Sequence, residues 1–229
     1  MMKLNDFFSK IYCINLDSRP DKYEICASEF EKFGIEVERV SGIDGNRVIK
    51  PSGENVSNGA YGLWSTHIKL IEEAIKNKYE NILIFEDDVA FIDDFPERFN
   101  AKVSELPMDW DLFYLGGNTN FDKAKISIIS GDEKHIPNKE NYKKLEYEIC
   151  KTTWIQTTHA VGINIKFYET LLNEYQNKPI KPIDVVHCHL QQNGCNTYCF
   201  LPSLVIQRPT FSDIENTYVD YGKMDNFNF

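Results

Sequence analysis

At 229 residues the chain is long enough for one substantial α/β domain, or a domain and a small subdomain, burying about 70–75% of its unfolded surface. Its 42% hydrophobic and 26% charged residues are those of an ordinary globular protein, which argues against disorder. A net charge of -10 argues against nucleic acid as the main partner, since phosphates call for a basic field; an anionic nucleotide would need a metal or a local basic spot.

No run approaches the roughly 18–20 apolar residues of a membrane span, and the opening MMKLNDFFSK lacks the apolar core of a signal peptide. A cytoplasmic location without an integral membrane segment is the expectation. Six cysteines (Cys13, Cys26, Cys150, Cys188, Cys195, Cys199) form no CxxC pair, and free thiols are expected.

In chain order, Ser9 to Leu16 reads as a strand, and Arg19 to Phe33 as a helix with Tyr23, Cys26, Phe30 and Phe33 on one stripe and Gly34 as its stop. In the turn between them, Asn15 could read a base or ribose and Arg19 a pyrophosphate. The plainer reading is that Asp17 or Ser18 caps the helix and Arg19 is solvated. Ile35 to Val40 is a second strand, and the turn after it places Asp44 where a carboxylate could accept from a ribose hydroxyl, although Asp44-Gly45 is equally common turn chemistry. Residues 46–60 read as a loop long enough to be a flap. From Gly62 the spacing of Trp64, Ile68, Ile71 and Ile75 predicts a helix, with His67 beside its apolar face as either a structural residue or a catalyst.

The segment Asn81 to Phe91 organises the rest. Ile82 to Phe85 stay apolar on both faces, as in a strand buried in a helix-covered sheet, and they run directly into Glu86, Asp87 and Asp88. Ligands of such sheets collect beyond the carboxyl ends of the strands. Continued extension puts Glu86 and Asp88 on one side, where they could share a Mg²⁺ or Mn²⁺ ion, and Asp87 on the other. The plainer alternative is a solvated turn or a helix cap, as Asp93 and Asp94 before Phe95-Pro96 suggest.

Asp111 to Leu115 is a further strand, closed by Gly116-Gly117-Asn118, where backbone could approach a ligand. Residues 118–148 are polar and aperiodic and read as an insertion or lid. Sheet-like sequence resumes over Thr153 to Asn164 around His159, followed by a helix over Ile165 to Tyr175 and by Asp184 as an N-cap before Val185 to Gln191. His187, His189, Cys195 and Cys199 do not have a usual zinc spacing. Two short strands, Thr197 to Leu201 and Leu204 to Gln207, precede a polar tail carrying Ser212-Asp213. No internal repeat, GxGxxG, P-loop or GxSxG is present, so dinucleotide, kinase-like and serine-hydrolase readings lose support.

Four segments, in order, resemble glycosyltransferase family 25, which includes lipooligosaccharide sugar transferases and the collagen galactosyltransferase group. They are Ile14 to Pro20 with Asp44-Gly45; Gly62 to His67; Ile84 to Val89 with its EDD core; and Pro182 to Asp184 with Pro202, Gln207 and Ser212-Asp213. Leu63 and Thr66 depart from the Cys and Ser of the family pattern, and His187-Cys188-His189 is unusual. The resemblance implies a GT-A-like single domain over 1–229, with a mostly parallel Rossmann-like sheet flanked by helices. Residues 1–117 would form the nucleotide-sugar and metal half and 149–229 the acceptor half. It further implies a UDP-galactose or UDP-glucose donor, Mn²⁺ (or Mg²⁺), inversion at the anomeric carbon, and a hydroxyl acceptor on a glycan or modified protein side chain. On that reading Glu86 and Asp88 hold the metal, Asn15, Arg19, Asp44 and Asp87 serve the donor, and Asp184, then His159 or His67, is the base. The competing readings are a catalytically inactive nucleotide-sugar-binding protein of the same fold and a metal-dependent phosphohydrolase.

Overall fold

The computed structural model describes residues 3–129 and 146–220. After a short helix α1 (Leu4–Phe7), β1 (Lys10–Asn15), α2 (Pro20–Phe33) and β2 (Glu38–Ser41) form the first unit. Helix α3 (Asn58–Asn77) feeds β3 (Asn81–Glu86), which turns into β4 (Val89–Phe91) and α4 (Phe95–Lys102). Next come β5 (Leu112–Thr119), β6 (Ile126–Ile128), β7 (Glu148–Thr152), β8 (Ile155–Asn164), α5 (Ile165–Asn177) and α6 (Ile183–Gln192). Four strands follow: β9 (Thr197–Leu201), β10 (Val205–Gln207), β11 (Thr210–Ser212) and β12 (Thr217–Val219).

The central eight-stranded sheet has the order β2-β1-β3-β8-β5-β9-β7-β6. It corrects the expectation of a mostly parallel sheet. The β1–β2, β1–β3 and β5–β9 pairs are parallel, whereas β8 runs antiparallel to both β3 and β5, and β7 to both β9 and β6. Strands covered on both faces carry the same apolar run in either direction, so strand sense is not written in their hydropathy.

Period-two alternation explains the two cores. Leu83 and Phe85 point into a layer with Phe30, Phe91, Phe95, Phe99 and Phe113. Ile82 and Ile84 point the other way, against Leu70, Ile71, Tyr168, Leu171 and Val161. The α2 stripe ends at Gly34, whose φ of 61° is the left-handed stop expected there. Cys13 and Cys26 face each other at 4.0 Å between Sγ atoms, and all six cysteines are free.

Three local expectations are corrected. Helix α3 begins at Asn58 rather than Gly62, because the Ser57 side chain accepts from the Ala60 N–H and caps it. Asp184 is not the N-cap of α6, a position Pro182 takes; it sits in the first turn and accepts from its neighbour Val185. Gly116-Gly117-Asn118 does not close the strand after Leu115 but lies inside β5. A Cβ on Gly116 would come within 2.0 Å of the Val205 carbonyl oxygen and 2.4 Å of His159 Nε2, so the close approach is to protein. Of the proposed 118–148 insertion, the flanks form the antiparallel β6–β7 ladder and residues 130–145 lie outside the described residues.

Candidate functional site

The parallel trio β1, β2 and β3 ends on one edge, with Asn15 opposite Ser41 and Ile14 opposite Glu86. Beyond that edge lies a cleft of about 280 Å³ lined by Asn15, Lys22, Asp44, Glu86, Asp87 and Asp88, with Ser212 to Ile214 forming one wall. Its floor is fixed by close backbone contacts. The Thr66 hydroxyl donates to the Gly62 carbonyl at 2.8 Å and accepts the Ile43 N–H at 2.9 Å, tying the Asp44 turn to α3. A Cβ on Gly62 would come within 2.1 Å of the Ile43 carbonyl oxygen, so only glycine permits that approach.

The chain turns immediately after Glu86, so all three acids face the same cleft rather than splitting between two sides. Glu86 accepts from the Thr158 hydroxyl at 2.8 Å, and Asp88 accepts from the Gln207 amide at 3.2 Å. The other Asp88 oxygen, Oδ1, is buried with no partner. Burial pushes Glu86 up to about 8, with repulsion from Asp88 adding to it. Asp88 is raised to about 6 by burial and by Asp87, with Lys22 opposing. A cation would relieve both penalties, and the orphaned Asp88 oxygen fits a hard metal ion. Among the described residues no group of three His, Cys, Asp or Glu side chains is gathered for a metal, so such an ion would complete its shell from water and a bound ligand.

The raised carboxyl gives a stability prediction. Unfolded, Glu86 loses its proton near 4.5; folded, it keeps it to about 8. Between those values the folded state binds more protons, so this group's contribution falls as pH rises through the window. Glu86→Gln should therefore flatten the loss of thermal stability of the metal-free protein between about pH 5 and pH 8. An unchanged slope of Tm against pH would contradict the site's electrostatics.

The three remaining donor-side candidates, Asn15, Asp44 and Arg19, take different positions. Asn15 is buried and fully engaged: its amide donates to Asp87 at 2.6 Å and to the Arg19 carbonyl at 2.8 Å, and its oxygen accepts from Arg39. It orients Asp87 instead of presenting a free edge to a base. Asp44 lines the cleft, accepting the Asn46 N–H and pairing with Arg47. Arg19 stands beside the cleft with both terminal nitrogens occupied, by Asp21 and Asp213.

Three of the histidines, His67, His159 and His187, are buried. His159 is wedged between the Thr157 hydroxyl at 2.9 Å and the Val205 carbonyl at 3.2 Å, and burial lowers it to about 4. His67 is buried with no partner at either nitrogen and is likewise lowered to about 4 by burial. His187 accepts or donates at both nitrogens to Tyr114 and Tyr175, at 2.8 and 2.7 Å, which removes it from any zinc set with Cys195 and Cys199. Asp184 is half-buried and close enough to Glu86 to add to its raised pKa; burial raises its own carboxyl.

Sequence reasoning did not single out Lys22 or Thr158. Lys22 is 8% exposed, at 2.9 Å from Asp213 and 3.9 Å from Asp87. Its helical spacing from Cys26 and Phe30 was the available signal that it points inward.

A model of the family described as "Glycosyltransferase family 25 (LPS biosynthesis protein)" matches residues 8–189. The chain belongs to glycosyltransferase family 25, and its large helix-flanked α/β sheet is the GT-A-like architecture that membership implies. It is 28% identical over 222 residues to a "Procollagen lysyl hydroxylase and glycosyltransferase" of Acanthamoeba polyphaga mimivirus, covering 84% of this chain and 22% of that one. It is 26% identical over 160 residues to the human "Procollagen galactosyltransferase 2", covering 61% and 24%. It is also 26% identical over 141 residues to the mouse "Inactive glycosyltransferase 25 family member 3", covering 53% and 24%. The chain thus spans about a quarter of the length of these relatives. No described helix is long and apolar enough to cross a membrane.

Proposed function

We propose that the protein is a metal-dependent inverting glycosyltransferase that moves a hexose, galactose or glucose, from a UDP-sugar to a hydroxyl of a glycan or a modified protein side chain. The observation that carries this reading is the trio Glu86, Asp87 and Asp88 at the carboxyl end of β3, facing a cleft in which Asp88 Oδ1 is buried without a partner. Glu86 and Asp88 would hold Mn²⁺ or Mg²⁺. When bound, the ion would offset the charge that develops on the departing nucleoside diphosphate.

The chain's own residues divide the remaining work. Asn15 and Lys22 hold Asp87, Thr158 and Gln207 hold Glu86 and Asp88, and Asp44 offers a carboxylate at the end of the second strand for a donor hydroxyl. Direct displacement also requires removal of the acceptor proton. Asp184 is the better base, because it is only half-buried, lies in the field of Glu86, and burial raises its carboxylate's affinity for a proton, whereas burial lowers that of an imidazole. His67 and His159, neutral down to about pH 4, are weak bases shut away from solvent.

Asp184→Asn should lower the transfer rate by about 10²- to 10⁴-fold while leaving UDP affinity within a factor of about three. Parallel losses in kcat and in UDP binding would make Asp184 structural. The function itself is tested by incubating a panel of UDP-sugars with and without Mn²⁺ and following UDP release. Metal-dependent release from one sugar supports the transferase. The name of the mouse relative keeps an inactive sugar-nucleotide-binding protein in view; binding of a UDP-sugar without turnover would favour it. Acceptor-independent phosphate release from simple phosphoesters would instead favour a phosphohydrolase.

A further inference from the structure

We propose that Lys22 and Arg19 form the diphosphate-binding pair of the cleft, and that in the free protein the Asp213 carboxylate occupies it as a stand-in for the phosphate that must displace it. The inference rests on the donor reading above, in which Arg19 already faces a pyrophosphate, and adds Lys22 as its partner and Asp213 as what blocks the pair.

Lys22 and Arg19 leave the start of α2 side by side and converge on one carboxylate. Asp213 Oδ2 lies 2.6 Å from an Arg19 terminal nitrogen and 2.9 Å from Lys22 Nζ, and Asp213 Oδ1 accepts from the same guanidinium at 2.9 Å. Two cations converging on the two oxygens of one oxyanion is an arrangement that a phosphate would also satisfy. A lysine buried to this degree needs an anion beside it, and its other neighbour, Asp87, is more distant at 3.9 Å and already bonded to Asn15.

Asp213 belongs to an element suited to withdraw. It follows β11, in the connection to β12, and among the described residues these strands pair with each other and not with the central sheet. A two-stranded ribbon is marginal by itself. It is docked at the Asp213 end by this ion pair and by packing of Ile214 against Gly59 at the start of α3, where a Cβ would come within 2.8 Å of the Ile214 Cα, and at the far end of β12 by the buried Val219. Ser212, Asp213, Ile214 and Asn216 line the cleft, so the ribbon forms its wall on the Lys22 side.

Charge explains why exchange is required. The cleft already holds Asp44, Glu86, Asp87 and Asp88, and a diphosphate arriving beside an undisplaced Asp213 would meet a fifth carboxylate. Exchanging Asp213 for the diphosphate keeps the two cations paired. The unpartnered Asp88 Oδ1 in the same cleft independently marks the place as one that awaits a ligand.

The test is calorimetric titration of inorganic pyrophosphate, and separately of UDP with Mg²⁺, into the wild type, Asp213→Asn, Lys22→Gln and Lys22→Arg. Asp213→Asn should tighten both ligands by roughly tenfold, since it removes the competing charge and keeps a hydrogen-bonding side chain. Lys22→Gln should weaken both by roughly tenfold or more, and Lys22→Arg should restore binding, which separates loss of a cation from loss of fold. Unchanged or weaker binding in Asp213→Asn overturns the stand-in role, and unchanged binding in a folded Lys22→Gln overturns the anion site. If pyrophosphate follows this pattern while UDP binds no better than pyrophosphate, the anion site stands and the sugar-nucleotide reading fails.

Discussion

Asp88→Asn is expected to fold like the parent and to lose metal-dependent turnover of a sugar nucleotide by at least about 100-fold. The substitution keeps an acceptor for the Gln207 amide, so the β4–β10 pairing that brings Gln207 to this position is undisturbed. What it removes is one of the charges that burial and neighbouring acids make costly. The metal-free variant should therefore be at least as stable as the parent, a combination of retained Tm and lost activity that a structural role for Asp88 would not give. Undiminished turnover would remove Asp88 from the site.

Gly45→Ala is expected to be the most damaging single methyl in the cleft. A Cβ there would come within 1.7 Å of the Asn58 carbonyl oxygen and 2.5 Å of its carbon, both backbone atoms of the first turn of α3. The Asp44 turn must move away from the helix or the helix end must unwind, at a cost of about 3 kcal/mol. For a chain of this size that lowers Tm by about 10 °C. Because Thr66 anchors the same turn through the Ile43 N–H, the displacement should also weaken UDP binding. A variant with parental Tm and UDP affinity would contradict the packing described for the cleft floor.

What could be read from the sequence follows from what each signal encodes. The β3 run and its acids were legible because burial on both faces and an abrupt change to charge need no knowledge of partners. The stripes of α2 and α5 were legible for the same reason, being facts of one helix. Strand direction was not: β8 inserts antiparallel between β3 and β5, and its apolar residues would read alike in either sense. Gly116 and Gly117 read as the end of their strand because the atoms that require them, the Val205 carbonyl, the His159 ring and the Ile155 side chain, come from distant parts of the chain.

The site divides in the same way. Glu86, Asp88 and Asp44 lie in one cleft, as their positions at strand ends suggested, and Asp87, expected on the opposite side, joins them because the chain turns after Glu86. Asn15 lines the cleft and Arg19 stands beside it, with their polar atoms engaged by Asp87, Arg39, Asp21 and Asp213. Asp213 reaches Arg19 from 194 residues away, and no local pattern encodes such a pairing. His67 and His159 carried the residue type of a base, but full burial, which sequence alone does not reveal, lowers their affinity for a proton and shuts them away from solvent.

The central claim is that Glu86 and Asp88 hold a divalent ion against a sugar nucleotide in this cleft. Its most direct test is a crystal grown with UDP and Mn²⁺, with the metal located by anomalous scattering at the manganese edge. One strong peak, coordinated by carboxylate oxygens of Glu86 and Asp88 and by the diphosphate, is expected. UDP bound in the cleft with manganese elsewhere, or with none, would contradict it.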